Sequence, residues 1–367
     1  MNVLLLTDDM LPGGIPRHVT DLANGLNERG VRVTVAASDG PFRTRLARGI
    51  RFVPIFLLNP DSYSKSAGGP FESMGVLRNL FQSERFDIVH THKRYSDMFG
   101  RILARMYGAE HVSTCHNTFD SFRALSSFGR ITIAVSRATE EMLIARFRKK
   151  PQSVVRIYNE IEPLRSYSHQ ERQLWKRKFG ISDIEHVLVS IGQFIPSKDR
   201  RTLLDALKIL AREGTLESTV CLVVGHGEEE EKLWNYAVRE GLDRVVKFLP
   251  GTTDVEAVLN LADFCILTSV RDGGVPYVLL EAASLSKPHV ATDVGGIPEF
   301  VSHGKTGLLV PPRDSAALAQ AIDSLLRQPQ QVRRLGRNAL QKFKEQHGRG
   351  EFLPKTIEVY QRALARP

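Results

Sequence analysis

The sequence predicts an α/β protein built from two consecutive, doubly wound parallel sheets. Three observations carry that expectation. The chain has 367 residues, about twice an ordinary domain. Short apolar, β-branched runs alternate with amphipathic stretches along nearly all of it, the pattern of parallel βαβ units. The alternation lapses once, at the polar stretch Arg165-Ser-Tyr-Ser-His-Gln-Glu-Arg-Gln, and then starts again. That stretch reads as a linker between domains 1–165 and 166–349.

In the first half the runs predict strands at Val3–Thr7, Val31–Ala36, Phe52–Ile55, Ile88–Thr91, His111–Cys115, Ile131–Val135 and Val154–Tyr158. Helical periodicity lies between them near 15–29, 96–107 and 137–147. Asn59–Glu72, with its Gly-Gly-Pro, reads as a mobile loop. In the second half, strands are expected at Val187–Ile191, Val220–Val224, Val245–Phe248, Phe264–Thr268 and His289–Thr292. Asp199 opens a helix with Leu203, Leu204, Leu207 and Leu210 on one face, and Asp314 caps another. Open sheets of this kind bind ligands at the carboxyl ends of their strands, so the loops there hold the candidate site residues.

Composition narrows the class. A chain 42% hydrophobic and 25% charged is ordinary for a soluble globular protein. No apolar run reaches membrane-spanning length, and the opening residues read as a first strand rather than a leader. A cytoplasmic location follows as the expectation. Cys115, Cys221 and Cys265 sit in apolar strand-like runs and are expected as buried thiols. No Cys/His spacing suggests zinc. Net charge is +9; residues 1–165 hold 23 Lys and Arg against 16 Asp and Glu, and 166–367 hold 27 against 25. An anionic partner of the first half is one reading, solubility charge the other. No recognition motif accompanies the charge, so nucleic acid is not expected.

Several strand ends carry glycines or polar groups. Gly13 and Gly14 precede a helix and could offer amides to an anion, or simply form a turn; the dinucleotide fingerprint is absent. Gly192-Gln193 leads to Lys198 at a helix start, where a cation opposes the dipole; it either grips a phosphate or is a solvated surface lysine. Gly225-His-Gly227 is a further glycine-flanked turn. Asp272-Gly273-Gly274 precedes Pro276, Tyr277, Val278 and Glu281. A carboxylate among Leu279, Leu280, Ala282 and Ala283 needs a partner, either a ribose diol or a neighbouring arginine.

The run Glu281-Ala-Ala-Ser-Leu-Ser-Lys-Pro-His-Val-Ala-Thr-Asp-Val-Gly-Gly-Ile-Pro-Glu resembles the hallmark of glycosyltransferase family 4. Gly13–Gly14, Asp87-Ile-Val-His-Thr-His, Ser113-Thr-Cys-His116, Ala134-Val-Ser136, Asn159, Lys198, Gly225-His-Gly227 and Gly304-Lys-Thr-Gly-Leu-Leu-Val match it in order. The resemblance implies a GT-B fold: two Rossmann-like domains facing a central cleft, with a C-terminal helix at about 350–367 crossing back to the first. It implies retaining, metal-independent transfer from a nucleotide sugar, with a UDP-sugar first and GDP- or ADP-sugar next.

By the same resemblance Glu281 holds the ribose, Lys198 neutralises the diphosphate, and Gly14, beside Gly13, donates an amide to it. His116 serves near the donor sugar; apart from the resemblance, His90 and His92 read as structural from their place at a strand end. The donor set is Gly13, Gly14, Gln193, Lys198, Gly273, Gly274, Tyr277, Val278 and Glu281, and the catalytic set His116, Lys198 and Asp272. Two departures stand out. Gly273 occupies the place of the family's first glutamate, so either Asp272 substitutes for it or the Gly273–Gly274 amides bind the sugar. Gln193 stands where an arginine is common.

The acceptor, a glycan, a lipid-linked sugar or another anionic hydroxyl compound, is expected on the first domain. Pro41-Phe-Arg-Thr-Arg-Leu-Ala-Arg48 and Arg146-Phe-Arg-Lys-Lys150 suit an anionic lipid on the inner face of the membrane or a phosphorylated acceptor, or else are solvated helix faces. A nucleotide-sugar epimerase and a non-catalytic nucleotide-sugar-binding relative are the alternatives.

Overall fold

A computed structural model describes residues 1–57, 70–119 and 128–365. Its contacts divide the chain into two units, Met1–Asn159 with Gly350–Pro367, and Glu160–Arg349.

In the first unit the strands are β1 (Asn2–Asp9), β2 (Arg32–Ser38), β3 (Arg51–Pro54), β4 (Ile88–Thr91), β5 (Glu110–Cys115), β6 (Ile131–Ala134) and β7 (Val154–Arg156). They form one sheet ordered β3-β2-β1-β4-β5-β6-β7, and each pairing is parallel. Every residue of β1 is buried, as expected for a central strand covered on both faces. Helices α1 (Gly14–Glu28), α2 (Pro70–Ser83), α3 (Arg94–Tyr107) and α4 (Arg137–Ala145) connect the strands.

In the second unit β8 (His186–Ile191), β9 (Thr219–Gly225), β10 (Val246–Pro250), β11 (Phe264–Leu267), β12 (His289–Thr292) and β13 (Gly307–Val310) form a parallel sheet ordered β10-β9-β8-β11-β12-β13. Its helices are α5 (His169–Lys178), α6 (Arg200–Arg212), α7 (Glu230–Arg239), α8 (Val255–Leu261), α9 (Tyr277–Ser284), α10 (Ile297–Phe300), α11 (Ser315–Leu326) and α12 (Pro329–Gln346). The last helix, α13 (Phe352–Leu364), belongs to the first unit. Its Val359, Tyr360 and Ala363 join the core of Val3 and Leu5, and the Tyr360 hydroxyl lies 2.7 Å from His90 Nδ1. All three cysteines are free and buried.

Three expectations change. The stretch 165–173 is not a linker: Ser168 caps α5, accepting from the Glu171 amide while the Glu171 carboxylate accepts from Ser168 N at 2.8 Å. Such a capping box ends a polar run in a helix. The first unit also closes at Asn159 rather than 165. Residues 160–165 are tied to the second unit, Ile161 N donating to His347 O and Leu164 N to Ser284 Oγ. Finally, Gly307-Leu-Leu-Val310 is a strand and 329–346 a helix, neither of which the periodicity marked out. The loop expected at Asn59–Glu72 lies outside the described residues up to position 69; Pro70–Glu72 open α2.

Candidate active site

In a doubly wound parallel sheet the ligand crevice opens where successive connections leave to opposite sides. In the second unit that point lies between the neighbouring strands β8 and β11. The two loops leaving them are tied together. Thr268 Oγ1 donates to Lys198 O at 2.9 Å and Val270 N to Ser197 O at 2.9 Å. Lys198 ends a 3-10 turn, Pro196–Lys198, one residue before Asp199, the cap of α6. It therefore precedes the helix rather than sitting in its first turn.

The Lys198 Nζ lies 2.9 and 2.8 Å from the two oxygens of Asp272. Both side chains are mostly covered, at 20% and 13% exposure. Two of the three catalytic candidates are thus one ion pair at the switch point. Asp272 faces Lys198 rather than solvent. Gly273 is buried and Gly274 half-buried behind it.

The glycine pair after β12 makes room for another turn's main chain. At Gly295, φ is +55°, and a Cβ would lie 1.6 Å from the Asp272 carbonyl oxygen. At Gly296 a Cβ would meet the Gly274 carbonyl carbon at 2.5 Å. These two residues let the loop after β12 press main chain to main chain on the 272–274 turn and fix where Asp272 stands. Tyr277 and Val278 open α9, half-buried, and Glu281 is buried at 7% one turn on. Gln193 leaves β8 beside Gly192.

Arg200 also stands at this site, marked by no motif. Its side chain is 1% exposed, and Nη1 donates to Ser190 Oγ at 2.7 Å. Nε and Nη2 are buried without partners, and Nη2 lies 2.8 Å from where a Gly192 Cβ would be. Burial lowers its proton affinity to about 10, with Cys221 and Asp272 opposing the shift. A positive charge is therefore built in under the turn that carries Gln193. Only its position between two polar residues at a helix start hinted at more than surface charge.

In the first unit the switch point lies between β1 and β4. Gly13 caps α1 in extended geometry, φ 172°, and as a glycine brings no capping side chain of its own. Asp9 pairs with Lys93 at 2.6 Å and accepts from Leu11 N at 3.1 Å, which fixes the loop after β1. His116, leaving β5, meets two other imidazoles. His92 Nδ1 lies 3.3 Å from His116 Nε2, and the His18 ring centroid 4.6 Å from that of His116. His18 Nδ1 is 3.0 Å from Asn159 Oδ1, so Nδ1 donates and the buried Nε2 is left bare.

Burial holds His116 well below its ordinary proton affinity, and His18, His90 and Lys93 push the same way. Burial also lowers His18 to about 4 and takes His92 well down. The cluster is therefore neutral near pH 7 and offers lone pairs and N–H donors rather than charge. One nitrogen from each of His18, His92 and His116 lies within 4.8 Å of the others, so a metal ion could be held by distance. The nearby Lys93 ammonium, which disfavours a proton on His116, disfavours a cation there for the same reason. His90 is structural, bonded to Tyr360 and, at 2.7 Å, to Thr114.

The aromatic residues of the two basic stretches point inward. Phe42 is 9% exposed in the core, with Arg45 over its ring. Phe147 packs on Phe119 and Phe128, and Lys149 Nζ donates to Gly129 O at 2.6 Å. Neither stretch presents an aromatic side chain to a membrane, because each ring completes a local core.

"Glycosyltransferase Family 4" matches residues 12–164 and "Glycosyl transferases group 1" residues 171–342. The chain is 27% identical over 357 residues to N-acetyl-alpha-D-glucosaminyl L-malate synthase of Bacillus anthracis, covering 93% of this chain and 92% of that one. It is 23% identical over 309 residues to UDP-Gal:alpha-D-GlcNAc-diphosphoundecaprenol alpha-1,3-galactosyltransferase of Escherichia coli, with 78% of each chain covered. Anabaena Alr3699/HepE, solved in complex with UDP-glucose, superposes with a TM-score of 0.85 at 21% identity, over 99% of this chain and 100% of that one. Matched across both units, the chain belongs to glycosyltransferase family 4 of the group 1 glycosyl transferases and is a retaining glycosyltransferase of the GT-B fold.

Proposed function

We propose that the protein transfers a hexosyl group from a UDP-sugar to a sugar or lipid-linked hydroxyl acceptor. The observation that carries this is the Lys198–Asp272 pair at the second sheet's switch point, with buried Glu281 one turn into the following helix. A nucleoside diphosphate needs a cation for its phosphates and a carboxylate for its ribose diol. Lys198 and Glu281 supply those two groups. Arg200 beneath Gly192 adds field where Gln193 provides none.

As the glycosidic bond breaks, charge grows on the departing diphosphate, and preorganised donors there lower the barrier. Lys198 turns from Asp272 to that phosphate. Asp272, released, accepts from a sugar hydroxyl. Gly273 and Gly274 line the same turn, and Tyr277 and Val278 begin the helix beside it. In the first unit, taken by itself, Gly13 and Gly14 offer the α1 amides to an anion, and neutral His116 can hydrogen-bond a sugar hydroxyl. UDP is preferred over GDP and ADP because UDP or a UDP-sugar figures in two of the likenesses above. The acceptor belongs to the first unit.

A thermal-shift panel tests the donor. UDP and UDP-sugars should raise the melting temperature in proportion to occupancy, well above GDP and ADP. UDP should appear in solution only when acceptor is present. A protein stabilised by none of these compounds, or one releasing no UDP with any acceptor, overturns the reading.

A further inference from the structure

Helix α3 carries an apolar stripe that its own unit does not cover. Tyr95, Met98, Ile102 and Met106 are exposed, Ile102 by 45% and Met106 by 63%. They recur at intervals of three and four residues, so they form one row along the helix. The opposite face, with Phe99, Leu103 and Ala104, is in the core. Arg101 and Arg105 flank the row, are exposed, and have no ion-pair partner among the described residues. Beside them opens a pocket of about 400 Å³ lined by Arg101, Arg105 and Arg130, with Glu110 the acidic residue there. Glu110 faces Arg130 at 3.4 Å, which leaves two arginines uncompensated. At its start the helix is tied by Ser96 Oγ, which accepts from Lys93 N at 2.9 Å, and it ends at Gly108, φ 72°.

We propose that α3 lies on an anionic lipid surface, with the apolar row in the headgroup boundary and the Arg101–Arg105–Arg130 pocket holding a lipid phosphate. A row of large apolar side chains bordered by arginines is what an interfacial helix needs. Charge chooses the occupant: a second copy of this chain would bring its own +9 and its own arginines to the contact, whereas an anionic bilayer supplies the opposite sign. This inference adds to the acceptor class proposed above. It rests on that reading only for what the membrane would deliver, since lipid binding can be measured without transfer.

The test is flotation of the full chain with phosphatidylcholine vesicles, with and without phosphatidylglycerol. Binding should need the anionic lipid and weaken as salt rises. The double variant Ile102→Glu, Met106→Glu should lose about tenfold in vesicle affinity, and Arg101→Glu, Arg105→Glu at least as much. Leu174→Glu, at an exposed apolar site of the second unit, should bind as the parent does. Each variant should keep the parent's melting temperature, because the altered side chains are exposed, and its response to UDP, which separates this test from that of the donor site. The proposal is overturned if the parent does not float with anionic vesicles or if the variants float equally. It is also overturned if light scattering shows a dimer that the Glu variants dissociate, or if inorganic phosphate releases the protein while the apolar variants still bind.

Discussion

Lys198 and Asp272 are each other's partner before a donor arrives, at 2.8–2.9 Å and largely out of solvent. A mostly covered ion pair is costly to break from one side only. Lys198→Ala should therefore do two things: weaken UDP binding roughly 10- to 100-fold, as expected for a lost charge-assisted contact, and leave Asp272 unpaired. Asp272→Asn keeps the shape and frees the ammonium. It should hold UDP affinity within about threefold while turnover falls roughly tenfold or more. Calorimetric titration with UDP beside steady-state rates checks both, and equal losses in affinity for the two variants would falsify the division of labour. His116→Ala should lower kcat by roughly 100-fold with a smaller change in donor affinity. If instead donor affinity collapses and kcat holds, His116 is a binding group alone.

Elements matter through how their ends are joined. The turn 268–276 is placed by contacts from two neighbouring loops, Thr292 Oγ1 donating to Ser269 O at 2.6 Å and Val270 N to Ser197 O. Gly295 completes this placement, since it has a left-handed backbone and no room for a Cβ. Gly295→Ala should destabilise the second unit by about 1–3 kcal/mol, the range for overpacking, and should weaken UDP binding by moving Asp272. Chemical denaturation and UDP titration read these two effects separately. Helix α13 shows the same logic in the first unit. Tyr360→Phe removes the buried partner of His90 Nδ1 and should cost about 1–3 kcal/mol, the penalty for an unsatisfied buried polar group, without altering UDP affinity.

For the whole molecule, buried titratable groups set the pH response. Six histidines, His18, His90, His92, His111, His116 and His289, have their proton affinity lowered, chiefly by burial, to about 3 or 4 where a value is fixed. Unfolded, each takes a proton near pH 6.5. The unfolded chain then binds more protons than the folded one, so stability falls as pH drops from about 6.5 toward 4. Asp8 and Asp97 work oppositely. Burial raises them to about 6 and about 8, so their contribution is present in acid and is lost as pH rises through those values. Six groups against two make the acid side decide below pH 6.5; above it Asp97 alone gives a shallow decline. The melting temperature should therefore peak near neutrality and fall on acidification, and Asp97→Asn should remove the decline between about pH 6.5 and 8. A profile flat from pH 7 to 5 would show that the histidines are not held neutral.

The alternation of apolar runs with amphipathic helices was enough to establish two parallel sheets, because a strand buried on both faces must be apolar throughout and the crossover must be a helix. The order of motifs from Gly13 to Gly304-Lys-Thr-Gly-Leu-Leu-Val was enough for the family. Ser168 and Glu171, three residues apart, are a legible helix start inside a polar run whose composition alone suggests a linker. Other features depended on contacts that no local pattern records. That Asp272 meets Lys198 across 74 positions, that Gly295 spares space for another loop's carbonyl, that Arg200 is buried without a carboxylate, and that His18 and His92 close on His116 all follow from which strands are neighbours. Local sequence sets what an element is; sheet order sets which loop ends converge, and the candidate site residues lie in those loop ends.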